Sequence, residues 1–153
     1  IILAESLMGN GNRAYEYFKE SSPAYMNDRA EIRVLEPYVH GQFVESVESP
    51  FEGRAHVHWL TGTASTVMVG CVEGILGMRP DPNGLRISPS IPSSWNELTI
   101  KKKFRGKTLN IKISNPSGAE GGFKEFYVNG VKQETNYLPE ELMEQNNDIL
   151  LVM

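Results

Sequence analysis

A single cysteine, Cys71, stands among the 153 residues, which excludes an intramolecular disulfide. Its apolar neighbours point to a small packed hydrophobe rather than a nucleophile. Scarce cysteine also agrees with a reducing, cytoplasmic setting. No apolar run approaches the about 20 residues that a membrane-spanning helix needs. No basic segment followed by an apolar core opens the sequence, so no signal peptide is expected. The net charge of -4 offers no basic footprint for nucleic acid or an anionic membrane. The local cluster Lys101-Lys102-Lys103 is expected to guard a strand edge. There is no G-x-S-x-G elbow, so a Ser-His-Asp triad lacks support. His56 and His58 alternate, which in an extended segment points both the same way. No third ligand follows at metal-binding spacing, so no metal site is expected.

What is present reads as a globular chain, with 40% hydrophobic and 22% charged residues. The chain opens at Ile1 with "IILAESLMGNGNRAYEYF", an amphipathic pattern with no capping residue before it, and is read as the C-terminal piece of a longer protein. Gly9-Asn10-Gly11 interrupts that pattern, and residues 12–19 resume it with Ala14, Tyr15 and Phe18 on one face. Pro23 and Asn27-Asp28 mark a loop. "PYVHGQFVES" is expected to form a short helix with Pro37 in its first turn. "SPFEGRA" is a loop. Thr63 to Met78 then reads as a helix with Met68, Cys71, Val72, Ile75 and Leu76 at helical spacing. Gly70, Gly74 and Gly77 each cost about 1 kcal/mol of helix propensity, which makes sense if another element packs very close.

"RPDPNG", residues 79–84, breaks the pattern, and the period becomes two. "LRISPSI", "LTIKKKF", "TLNIKIS", "EFYVNG" and "DILLVM" read as strands, with hairpins at Arg105-Gly106-Lys107 and Asn129-Gly130. The expected fold is α+β: helices over residues 1–79, then an antiparallel β-sandwich over 80–153. Neither half looks able to close a core alone.

The chemistry concentrates at "HVHWLTGTAS", residues 56–65. Thr61, Gly62 and Thr63 open a helix, where free N–H groups and partial positive charge favour anions. Gly62 would let a ligand approach the backbone, and the threonine hydroxyls add donors. The plainer alternative is N-capping by Thr61 or Thr63. Trp59 either stacks on a sugar or fills core, and core is favoured. Gln42 offers a donor and an acceptor for sugar or phosphate, but suits solvent equally well. Among Glu36, Glu45, Glu48, Glu52 and Glu73, nothing singles out a general acid.

"EPYVHGQF", "SPFEGRAHVHWLTGTAS", "GILGMRPDPNGLRISPSIPSSW" and "KKFRGKTLNI" resemble the C-terminal part of the inverting sugar phosphorylases of glycoside hydrolase family 94. Within the family, "SPFEGRAHVHWLTGTASTVMVG" most resembles the cellodextrin phosphorylases. The resemblance implies the last helices and active-site loops of an (α/α)6 barrel, followed by a jelly-roll-like domain. It implies phosphorolysis of β-1,4-glucan chains to α-glucose 1-phosphate with inversion, no cofactor beyond inorganic phosphate as co-substrate, and a homodimer. It places Thr61-Gly62 on phosphate and Gln42 near phosphate and the attacked sugar. His56, His58 and Trp59 become residues of a specificity loop. It puts the general-acid aspartate upstream, so no catalytic residue is expected in this chain. Other family members, on cellobiose, laminaribiose, chitobiose or cellobionic acid, are the alternative reading. A non-catalytic carbohydrate-binding or assembly module is a further one. Residues 1–153 alone are therefore predicted to release no glucose 1-phosphate from cellotetraose; release by the isolated chain would overturn that placement of the acid.

Overall fold

The computed structural model describes residues 1–153. α1 (Ile2–Leu7) and α2 (Gly11–Ser21) are joined by a turn in which Gly9 is left-handed. Pro23–Arg29, expected as a loop, is a 3-10 turn with Pro23 in its first position, where a missing N–H costs nothing. α3 (Ala30–Arg33) follows. α4 (Thr63–Val69) continues as a π-helix over Gly70–Ile75, in which the Leu76 N–H reaches back five residues to Cys71 O at 2.9 Å. The glycines of this run meet the expected close neighbour. A Cβ on Gly70 would stand 3.1 Å from Ile2 Cβ, and one on Gly74 would stand 2.9 Å from Ser6 Oγ. α1 thus lies directly on a glycine ridge. The helix ends at Ile75 rather than Met78, because Gly77 turns left-handed with φ +69°.

"PYVHGQFVES" is not helical. Glu36 to Val39 makes a turn, closed by Val39 N–H on Glu36 O at 3.0 Å. β1 (Phe43–Val44) then pairs antiparallel with β2 (Ala55–His56). Gln42 N–H donates to His56 O and Glu45 N–H to Arg54 O, each at 2.9 Å. These bonds span the 45–54 loop, so pairing at a distance outweighs the weak helix signal of Pro37.

β3 (Met78–Asp81) and β4 (Gly84–Ile87) make the "RPDPNG" segment a hairpin rather than a mere breaker. Pro80 is tolerated because β3 is an edge strand. β5 (Glu97–Phe104), β6 (Lys107–Ser114), β7 (Glu125–Val128), β8 (Val131–Gln133), β9 (Tyr137–Pro139) and β10 (Asn146–Val152) complete the set. One sheet runs β5-β6-β10-β7-β8 and the other β3-β4-β9. The sandwich is not wholly antiparallel, since β10 lies parallel to β6. The chain leaves β6, visits β7, β8 and β9, and re-enters between β6 and β7. A crossover of that length is what a parallel pair requires. β5 is an outer strand carrying exposed Lys101 and Lys103, which blunt that edge as expected. Both expected hairpins have two left-handed residues, Arg105-Gly106 and Asn129-Gly130.

The two halves share one core. Ala14 of α2 and Ile75 pack with Leu85, Ile111, Phe126 and Leu151 between the sheets. Tyr15 meets Trp95 edge-on at 5.0 Å, and Asn12 Oδ1 accepts the Ser93 N–H at 3.0 Å. Around α4 the helical half is bare. α4 buries none of its residues, and a hollow of about 430 Å³ lined by Ile1, Ile2, Leu3, Val67 and Val69 stays open. No helix is long and apolar enough to cross a membrane.

Gly77 is held at φ +69°, and a Cβ there would lie 2.1 Å from the Ser88 carbonyl. Gly77→Ala is expected to destabilise the protein by about 2–5 kcal/mol, the left-handed and overpacking costs together. Chemical denaturation of the variant checks this; a change below about 1 kcal/mol would contradict it.

Candidate functional site

Thr61 stands just ahead of α4. Its Oγ1 accepts the Thr63 N–H at 3.1 Å and lies 2.8 Å from Thr63 Oγ1. Capping by Thr61 is therefore present. It does not use up the helix start, because the Gly62 N–H is given no intramolecular acceptor. Gly62 has an ordinary φ of -77°, and nothing lies within 4 Å of where its Cβ would stand. Neither backbone conformation nor packing within this chain calls for a glycine there.

Thr61 borders a hollow of about 180 Å³ whose other lining residues are Tyr38, Val39, His40, Trp59 and Ala64. The Glu36–His40 turn thus faces the start of α4 across this space. Trp59 is 67% exposed and does not fill core, contrary to the favoured expectation. Its left-handed backbone (φ +65°) turns it away from the interior. The indole N–H donates to Glu36 Oε1 at 3.2 Å, and the ring meets Tyr38 edge-on at 6.3 Å.

His56 and His58 do not share an extended segment. Val57 between them is left-handed at φ +54°, a strained state for a β-branched residue. His56 stacks on Phe43 at 4.8 Å, and its Nε2 lies 3.0 Å from Glu45 Oε1. That approach is a close contact without hydrogen-bond geometry, since Nε2 has no bonded partner. Both histidines border a second hollow with Val34, Leu35 and Arg54, away from Thr61. No three of His, Cys, Asp and Glu come together as a metal cluster. Gln42 is exposed and lies outside both hollows; its N–H is spent on His56 O.

His40 is the residue that pattern reading passed over. Its Nε2 is shut from water and has no partner. Leaving such a nitrogen unpaired costs about 1–3 kcal/mol. Burial and the nearby Arg33 guanidinium hold the imidazole below its usual range, which keeps it neutral. Arg33 is 5% exposed and donates to Val39 O at 2.8 Å, bracing the His40 turn from inside. Only the unusual sequence "EPYVHGQF" could have drawn attention to His40, since a lone histidine beside a valine carries no spacing signal.

The carboxyls displaced from their usual values, Glu36, Asp81 and Glu125, are all held low by hydrogen bonds, the wrong direction for a general acid. Burial pushes the Cys71 thiol up, which suits a packed thiol and not a nucleophile.

Residues 1–77 match the family model described as "Glycosyl hydrolase 94 superfamily, catalytic domain". The chain belongs to that superfamily. Residues 78–120 match "Glycosyl hydrolase family 65, C-terminal domain", so the two matches meet at the Gly77 turn. Among similar proteins, the N,N'-diacetylchitobiose phosphorylase of Vibrio furnissii is 36% identical over 84% of this family 94 chain and 16% of its own length. That of Vibrio proteolyticus is 31% identical over 99% of this chain and 19% of its own length. The solabiose phosphorylase of Paenibacillus borealis is 28% identical over 84% and 17%. The family 94 chain thus spans under one fifth of these relatives.

The Trp59–Glu36 bond gives this loop a titration. The Glu36 carboxylate is favoured by its own backbone N–H, by the Trp59 N–H and by His58, so its folded value is depressed. The tie is complete above the unfolded glutamate value and is lost as pH falls through the lower, folded one. With Trp95 replaced by Phe, Trp59 emission is expected to change with a midpoint below the usual glutamate range, and Glu36→Gln should abolish the change. A midpoint at or above that range would contradict the bond.

Proposed function

We propose that this chain is the C-terminal part of an inverting glycoside phosphorylase, contributing the last helices and loops of an (α/α)6 barrel and a C-terminal β-sandwich domain. The observation that carries the reading is Gly62, a glycine the fold does not need, with a free N–H beside the Thr61 hydroxyl in a chain of family 94. The bare faces of α1 and α4 agree with further helices packing there.

An inverting glycosidase that uses water needs both an acid and a base. Phosphate is already an anionic nucleophile, so the base is dispensable. One carboxylic acid protonates the leaving oxygen, and it lies outside this chain. What remains is to hold a dianion in line with the glycosidic carbon against charge repulsion, which aimed N–H and O–H donors do without reorganising. Thr61 and Gly62 take that role, and the family resemblance assigns Gln42, which lies outside the hollow at Thr61, to the sugar side of phosphate. Cellodextrins are the substrate suggested by the 49–70 segment. N,N'-diacetylchitobiose is a second reading, favoured by the 36% identical Vibrio furnissii relative. Phosphorolysis of cellotriose and of N,N'-diacetylchitobiose by the full-length protein separates the two, and hydrolysis without phosphate would reject both.

In the full-length protein, Thr61→Val removes a hydroxyl donor and is expected to raise the KM for phosphate about 10- to 100-fold, the worth of a hydrogen bond to a charged group; Gly62→Ala keeps the N–H and is expected to raise that KM by setting a methyl group where the anion approaches the backbone. Gly62→Ala should leave the unfolding temperature unchanged, because its conformation and surroundings admit a methyl group. Unaltered phosphate dependence in both variants would overturn the assignment.

A further inference from the structure

We propose that His40 is a sugar-contacting residue, whose Nε2 hydrogen-bonds a hydroxyl of a pyranose seated against the Tyr38 and Trp59 rims of the hollow that Thr61 borders. The inference deepens the phosphorolytic reading and rests on it for the identity of the ligand. Three observations support it. First, Nε2 is the orphan: it is enclosed, unpartnered, and belongs to a side chain lining the 180 Å³ hollow. A buried polar atom without a protein partner calls for one, and at a side chain that lines a hollow a ligand group can supply it. Second, the walls suit a sugar and not a bare ion. Tyr38 and Trp59 are 71% and 67% exposed on the rim of the hollow. Such faces take the apolar C–H surface of a pyranose ring, while a few polar groups fix its hydroxyls. The Glu36 bond holds the Trp59 ring in place before any ligand arrives. Third, the chemistry of the nitrogen fits. Burial and Arg33 keep the imidazole neutral, so it presents one N–H and one lone pair. That pair of functions matches a hydroxyl, which both donates and accepts. An imidazolium would suit phosphate better, and the Arg33 guanidinium beside the ring opposes forming one.

The placement also orders the two ligands. Thr61 borders the same hollow, so a sugar hydroxyl at His40 and a phosphate held by the Thr61 hydroxyl would lie on neighbouring walls. His40 is then a binding residue for the sugar, separate from the groups assigned to phosphate.

The test uses the full-length protein. His40→Leu keeps the bulk and removes the hydrogen bond, and His40→Gln restores a donor and an acceptor. For the oligosaccharide that the wild type cleaves, His40→Leu is expected to lower kcat/KM about 10- to 100-fold. The KM for phosphate should stay within about twofold of wild type, since a group that does not touch phosphate leaves its binding intact. His40→Gln should recover most of the loss. Calorimetric titration of the same oligosaccharide without phosphate should rank the proteins in the same order. Monodeoxy analogues provide a measurement that survives poor folding of the leucine variant. Wild type should discriminate against the analogue lacking the contacted hydroxyl, and His40→Gln should change that discrimination. Unchanged sugar affinity in His40→Leu would overturn the proposal, as would a loss confined to phosphate. Sugar binding lost in His40→Leu by a protein that performs no phosphorolysis would sustain the His40 contact while rejecting the reaction. Phosphorolysis indifferent to His40 would do the reverse.

Discussion

The left-handed turn at Gly77 sets how the helical half meets the sandwich. The Ser88 N–H donates to Gly77 O and the Ser90 N–H to Ile75 O, each at 2.9 Å, so the end of the π-helix is bonded to the segment after β4. A side chain at position 77 would strike the Ser88 backbone, so the contact exists only because the residue is glycine. Met78, buried immediately afterwards, enters the core as the first residue of β3. The direction of α4, and with it the placement of Thr61 and Gly62 at its far end, follows from this clamp and from α1 lying on Gly70 and Gly74. A glycine ridge is poor helix material. Here its cost is offset by the closeness of approach it permits.

The candidate site depends on a second, weaker framework. The Glu36–His40 turn is braced from inside by the Arg33 bond to Val39 O and continued by the β1–β2 pairing. Opposite it, the 57–60 segment passes through two left-handed residues with bulky side chains, Val57 and Trp59. Each such residue costs of order 1–3 kcal/mol and persists only where the surroundings enforce it. In this loop the enforcing contacts are the Trp59–Glu36 bond, the Tyr38 ring and the paired strand that ends at His56. The result is a small hollow with aromatic rims, bordered by Tyr38, Trp59, His40 and Thr61.

Much of the β-half was legible from sequence. Asn129-Gly130 and Arg105-Gly106 specified hairpins because two successive left-handed residues select them, and period-two runs located β5, β6, β7 and β10. The parallel β6–β10 pair was not legible. Alternation of side chains gives the faces of a strand, but it carries no information on the direction of its neighbour. The same limit explains the missed β1–β2 pair, whose partners are bonded across the 45–54 loop. Local pattern around Pro37 suggested a helix, and distant backbone pairing decided otherwise.

At the site, residue types and their order were enough to mark Thr61 and Gly62, because a hydroxyl and a glycine at a helix start have defined chemistry wherever they occur. Sequence also carried the family through its long motifs. Tertiary structure alone decided which neighbours those residues have. It placed Trp59 at the surface, split His56 and His58 from a common face, and brought His40 with an unpaired nitrogen to the wall that Thr61 shares. Composition and spacing report what a side chain can do. Burial, partners and field are set by groups far away in the chain, and these determine which of those capacities is left free.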